Sequence, residues 1–93
     1  MTTSANKRYQ RQATTDTTHA GDRAAIYHKA DEKAVTLNPT GTVLWESMKV
    51  PHSEEELVKV LQDKFPELPH EQARLDVTAF LSVLQQHNLV EAV

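Results

Sequence analysis

Two short stretches, 24–28 and 34–37, show the period of two that places successive side chains on opposite faces of a strand. Ala24, Ile26 and His28 alternate with Ala25 and Tyr27, and Val35 and Leu37 alternate with Ala34 and Thr36. Threonines 14, 15, 17 and 18 favour extended backbone ahead of them, and Ala20-Gly21-Asp22 supplies a turn. Three strands are therefore expected, the last two joined by the polar loop Ala30-Asp31-Glu32-Lys33. Upstream, "MTTSANKRYQRQ" has one aromatic and almost no aliphatic residue. Such a segment buries too little apolar surface to order itself, so residues 1–11 read as a disordered polar arm ahead of a domain over 12–93.

At Leu37 the period changes. Asn38 is a strong N-cap, because its side-chain oxygen accepts a free N–H of the first helical turn. Pro39 at the first helical position sacrifices no hydrogen bond. Gly41, Leu44, Trp45 and Met48 then fall on one helical face, and the glycine on that face suggests a closely passing backbone. A second helix begins at Ser53, where Ser53 and Glu56 make a capping box; Leu57, Val58, Leu61 and Phe65 are its apolar stripe, and Pro66 stops it. A third runs from Pro69 to about His87, with Asn88 suited to the left-handed residue beyond its end. Its core stripe is Ala73, Val77, Phe80, Leu81 and Leu84. Leu75, Ala79 and Val83 form a second apolar row, bordered by Gln72, Asp76 and Gln86. Two readings of that row stand side by side: packing on both sides within the domain, or a half-exposed groove awaiting a partner.

Charge and composition narrow the function. Residues 1–23 carry Lys7, Arg8, Arg11 and Arg23 against Asp16 and Asp22, and the remaining residues are acidic, for a net charge of −3 over 93 residues. An acidic folded part disfavours nucleic-acid binding, which gathers positive charge on one face. The absence of cysteine removes disulfides and thiolate metal sites and suits a reducing cytoplasm. No apolar run approaches the roughly 20 residues of a membrane span. The five histidines (19, 28, 52, 70 and 87) are scattered without a metal-binding pair, and no nucleophile has a base near it in sequence. Neither an enzyme nor a cofactor is expected.

The order of three strands and three helices, with the corner "LNPTGTVLW", "SEEELVKVLQDKF" and the Asp76-Val77, Phe80-Leu81, Leu84 pattern, resembles the PqqD family and the wider set of RiPP recognition elements. The resemblance covers about residues 12–92. "MKVPHS" stands where the family usually has a glycine after the first helix, and Asn88 stands where a glycine commonly precedes the final leucine. The resemblance implies an α+β fold, a small three-stranded antiparallel sheet followed by three helices, similar to a winged helix-turn-helix. It implies a non-catalytic protein that binds the leader region of a ribosomally made precursor peptide. The leader adds as a strand to the edge of the third strand, with its side chains in a cleft against the last helix. Carried onto this sequence, the backbone of Lys33, Ala34, Val35, Thr36 and Leu37 would meet the leader. Leu75, Ala79 and Val83 would wall the cleft, and Gln72 and Asp76 would meet polar or basic groups. Asn38, Pro39, Gly41 and Trp45 would be structural. The partner that receives the leader would be a modifying enzyme, such as a radical-SAM protein or a lasso-peptide protease and cyclase. The rivals are a winged-helix DNA binder, using Arg74 and the glutamines of the last helix with the basic arm, and a scaffolding subunit that reads no peptide. The oligomeric state, homodimer included, is left open.

Overall fold

The computed structural model describes residues 7–28 and 33–93. Their elements run β1 (Arg8–Arg11), β2 (Thr15–Ala20), β3 (Arg23–His28), β4 (Lys33–Thr36), α1 (Pro39–Ser47), β5 (His52–Ser53), α2 (Glu54–Lys64), α3 (His70–Gln86) and β6 (Val90–Ala92). The fold is α+β, with three helices and small antiparallel sheets. The expected sheet is present in the order β2-β3-β4, with Ile26 opposite Val35 and Ala25 opposite Thr36. Residues 30–32 of the expected loop lie outside the described residues.

A second sheet, in the order β5-β1-β6, was not expected, and it corrects the reading of the N-terminal arm. Residues 8–11 are the middle strand of this sheet. Tyr9 stands opposite His52 on one side and Ala92 on the other, and its ring is buried. Burial pushes the Tyr9 hydroxyl pKa above its usual value, and the charge of Glu54 adds to the effect. The remaining part of the expected arm, residues 1–6, is outside the described residues.

The core is built where the helical stripes meet the inner face of the β2-β3-β4 sheet. Ile26, Leu44, Trp45, Met48, Leu57, Leu61, Val77 and Leu84 are fully buried. Trp45 donates its Nε1–H to Thr17 Oγ1 (2.8 Å), while the Arg11 guanidinium lies 4.8 Å from the centre of its ring. Beside it, Glu46 gathers His19 Nε2 at 2.8 Å, Lys49 Nζ at 3.2 Å and Arg11 at 3.7 Å, tying β1 and β2 to α1. The ends of the helices are closed locally. Asn38 Oδ1 accepts the Gly41 N–H (2.8 Å), and Ser53 and Glu56 form a reciprocal capping box. Asn88, at φ 57°, ends α3 and turns the backbone into β6.

Candidate functional site

β4 is an outer strand of its sheet, so one side of its backbone is unpaired by the sheet. Its register shows which groups lie there. Leu37 N–H donates to Ala24 C=O (2.8 Å), which sets Leu37 as a residue facing β3. In an antiparallel pair, alternate residues turn both their N–H and C=O to the partner. Val35 and Lys33 therefore also face β3, while Ala34 and Thr36 direct their backbone groups to the open edge, about 6.8 Å apart.

This edge opens on a cleft of about 370 Å³ against α3. Val35 and Thr36 line it from β4, Leu37, Asn38, Thr40 and Gly41 from the corner, Leu44 from α1, and Asp76, Ala79, Phe80, Val83 and Leu84 from α3. The corner and the helix approach closely at Gly41. A Cβ there would lie 3.2 Å from Phe80 Cε1 and 3.1 Å from Asn38 Oδ1, which accounts for a glycine on the packed face of α1. The walls are mainly apolar, and Asp76 supplies a carboxylate at the rim, where it accepts a hydrogen bond from Gln72 Nε2 (2.8 Å).

The second apolar row of α3 is not part of the core. Leu75 is 55 % exposed, Val83 is 44 % exposed, and Ala79 is exposed as well. The three do not share one surface. At about 100° per residue the row drifts around the helix, so Val83 lies about 120° from Val77 on the cleft side, and Leu75 lies about 160° away, almost opposite the core. Ala79 and Val83 line the cleft, whereas Leu75 and Gln72 do not. Phe80 and Leu84, placed by periodicity in the core stripe, reach the cleft as well. A helical wheel alone does not show this, because it records one buried face of a helix and not which second element lies beside it.

A larger hollow of about 570 Å³ lies between α2 and α3. Its lining carries charges of both signs, and two pairs of its polar groups are engaged with one another. Thr78 donates to Glu54 Oε2 (2.9 Å), and His70 Nδ1 is 3.1 Å from Gln62 Oε1. Volume favours this hollow, but the unpaired strand edge belongs to the smaller cleft, and a strand edge supplies recognition that a charge-balanced surface hollow does not. Among the described residues, no three His, Asp or Glu side chains gather to hold a metal ion, and no helix is long and apolar enough to cross a membrane.

A family model described as coenzyme PQQ synthesis protein D (PqqD) matches residues 23–90, from the first residue of β3 to the first residue of β6. The chain belongs to the PqqD family. Its match begins after β1 and β2, so the β1 strand that completes the second sheet lies outside the matched segment. No curated protein matches this sequence. Among solved structures, one described as TbiB1 in complex with the TbiA(beta) leader peptide is similar, with a TM-score of 0.79 and 18 % identity, over 88 % of this chain and 94 % of that one. At that identity the likeness establishes a shared fold.

Proposed function

We propose that this PqqD-family protein binds the leader region of a ribosomally made precursor peptide and hands it to a modifying enzyme, without catalysing the modification itself. The observation that carries the proposal is the open edge of β4 beside an apolar cleft. The fold shared with TbiB1, whose structure contains a leader peptide, supports it. In this reading the leader pairs with Ala34 and Thr36 through its backbone. Its alternate side chains enter between Val35 and Leu37 on one wall and Ala79 and Val83 on the other. Asp76 and Gln72 meet a polar or basic leader group at the rim. The receiving enzyme would be a radical-SAM protein or a lasso-peptide protease and cyclase, acting in the cytoplasm on a peptide natural product or a peptide-derived cofactor. DNA binding is the weaker reading. Arg74 on α3 is ion-paired with Glu71 (3.3 Å), and the helix exposes Leu75 and Val83 where a DNA reader presents polar groups.

The test uses a displayed library of random 12-residue peptides. Peptides recovered on the protein should slow amide exchange at Ala34 and Thr36 while leaving the already paired Val35 and Leu37 little changed. Ala79→Glu should stay folded, since a change at an exposed position usually costs within about 0.5 kcal/mol. It should weaken the recovered peptides by more than about tenfold, because the new carboxylate is desolvated without a partner when the cleft fills. Normal binding by folded Ala79→Glu would place the peptide elsewhere.

A further inference from the structure

The open edge of β4 changes chemistry where the backbone turns into α1. At Ala34 and Thr36 it offers a donor and an acceptor from each residue, as any strand edge does. Pairing with β3 continues one residue beyond the strand, through the Leu37–Ala24 hydrogen bond, and Asn38 is still extended at φ −78° and ψ 176°. The alternation therefore brings Asn38 to the open side together with Thr36. Its acceptors, however, are used within the protein. The Asn38 C=O takes the Thr42 N–H (2.8 Å), and Oδ1 takes the Gly41 N–H (2.8 Å) and the Thr40 hydroxyl (3.0 Å).

This arrangement also settles which way the Asn38 amide points. The Gly41 N–H can only donate, so the oxygen must face it and the side-chain NH2 must face away. That NH2 and the Asn38 backbone N–H have no partner among the described residues, and Asn38 is exposed and lines the cleft. The edge thus ends in donors alone. A peptide strand laid along it satisfies the Asn38 N–H with one backbone carbonyl. The next carbonyl on the same side of that strand is about 6.8 Å further along and does not serve the same corner.

We infer that Asn38 is a specificity-determining residue. Its side-chain NH2 selects a peptide residue that brings its own side-chain acceptor oxygen (Asp, Glu, Asn or Gln) to the position aligned with the corner. The inference rests on the strand-addition reading above and adds to it the chemistry of one leader position. Asn38 then has two separable roles, with its oxygen capping α1 and its nitrogen reading the ligand.

Two substitutions separate them. Serine and aspartate are N-caps as good as asparagine, so Asn38→Ser and Asn38→Asp keep the helix start while removing the side-chain NH2; Asn38→Ser leaves only a shorter hydroxyl that does not reach as far as the amide nitrogen, and Asn38→Asp puts an acceptor in place of the NH2. The same library of random 12-residue peptides is selected on wild-type, Asn38→Ser and Asn38→Asp protein. Wild-type peptides should share alternating apolar residues and an acceptor-bearing residue at a fixed offset from them. Asn38→Ser should keep the apolar pattern, lose the preference at that offset, and bind a wild-type-selected peptide about 2- to 10-fold more weakly, the worth of one hydrogen bond. Asn38→Asp should turn the preference to donor-bearing residues such as Lys, Arg, Ser or Thr. An unchanged consensus on both variants would overturn the role of Asn38 and leave strand addition intact. Should either variant fail to fold, the wild-type consensus decides, since its lacking an acceptor-bearing position refutes the inference. Recovery of no peptide, or of peptides that leave Ala34 and Thr36 unprotected, would refute strand addition itself and the inference with it.

Discussion

Replacing Thr42 by valine probes how the strand-to-helix corner is held. In a continuing ladder the Ala24 N–H would donate to the Leu37 C=O, as the Ala24 C=O already accepts from the Leu37 N–H (2.8 Å). The backbone instead turns away after Leu37, and a hydroxyl from α1 takes over: Thr42 Oγ1 accepts the Ala24 N–H at 2.9 Å. Both residues are buried, Ala24 at 1 % and Thr42 at 8 % exposed, so water cannot substitute readily. Valine keeps the shape of threonine and removes the acceptor, which leaves a buried N–H unsatisfied at a cost of about 1–3 kcal/mol. For a domain of this size that corresponds to a melting temperature lower by about 5–20 °C. Denaturant unfolding followed by circular dichroism should show a lower midpoint with an unchanged slope. The Ala24 amide should exchange faster, while Thr42→Ser, which retains the hydroxyl, keeps it slow. A loss within about 0.5 kcal/mol together with a still-protected Ala24 amide would refute the assignment.

Deleting residues 1–11 removes the middle strand of the β5-β1-β6 sheet and the buried Tyr9, so the shortened protein should melt far lower or fail to fold. Loss of a buried large aromatic alone costs about 3–5 kcal/mol, and an unchanged melting curve would show that β1 contributes nothing. At Glu46, burial by itself would raise the pKa, but hydrogen bonds from Lys49 and His19 and the charges of Lys49 and Arg11 bring it below the ordinary 4.5. A carboxylate held lower in the folded than in the unfolded state stabilises above about pH 4.5, and that contribution disappears as the pH falls through its folded value. Glu46→Gln should therefore lower the melting temperature at neutral pH and flatten its decline below about pH 4.5; parallel curves for the two proteins would refute this.

The elements that local chemistry encodes were legible in the sequence. Asn38, the Ser53–Glu56 pair and Asn88 each act within a turn of their own position, so cap and terminator residues mark helix boundaries without reference to the rest of the fold. The alternation in β3 and β4 and the stripe of Ala73, Val77, Leu81 and Leu84 are equally local records of one buried face. By contrast, β1, β5 and β6 contain only two to four residues each and carry no periodicity to read. They are strands because Arg8–Arg11 meets residues some forty and eighty positions away, through pairings such as Tyr9 with His52 and with Ala92. The same "KRYQR" segment, read alone, has the composition of a disordered arm.

The candidate site divides along the same line. From the sequence came an apolar strand next to a sharp corner and a helix with more apolar positions than one face requires, and these identify both walls of the cleft. Tertiary structure decided which residues belong to it. Placing β4 at the outside of its sheet leaves Ala34 and Thr36 as the residues with open backbone groups. The packing of α3 beside the corner brings Phe80 and Leu84 to the cleft and leaves Leu75 outside it. Periodicity records that a residue avoids water on one face, whereas cleft membership depends on where a second element ends, and that is set by contacts between distant parts of the sequence.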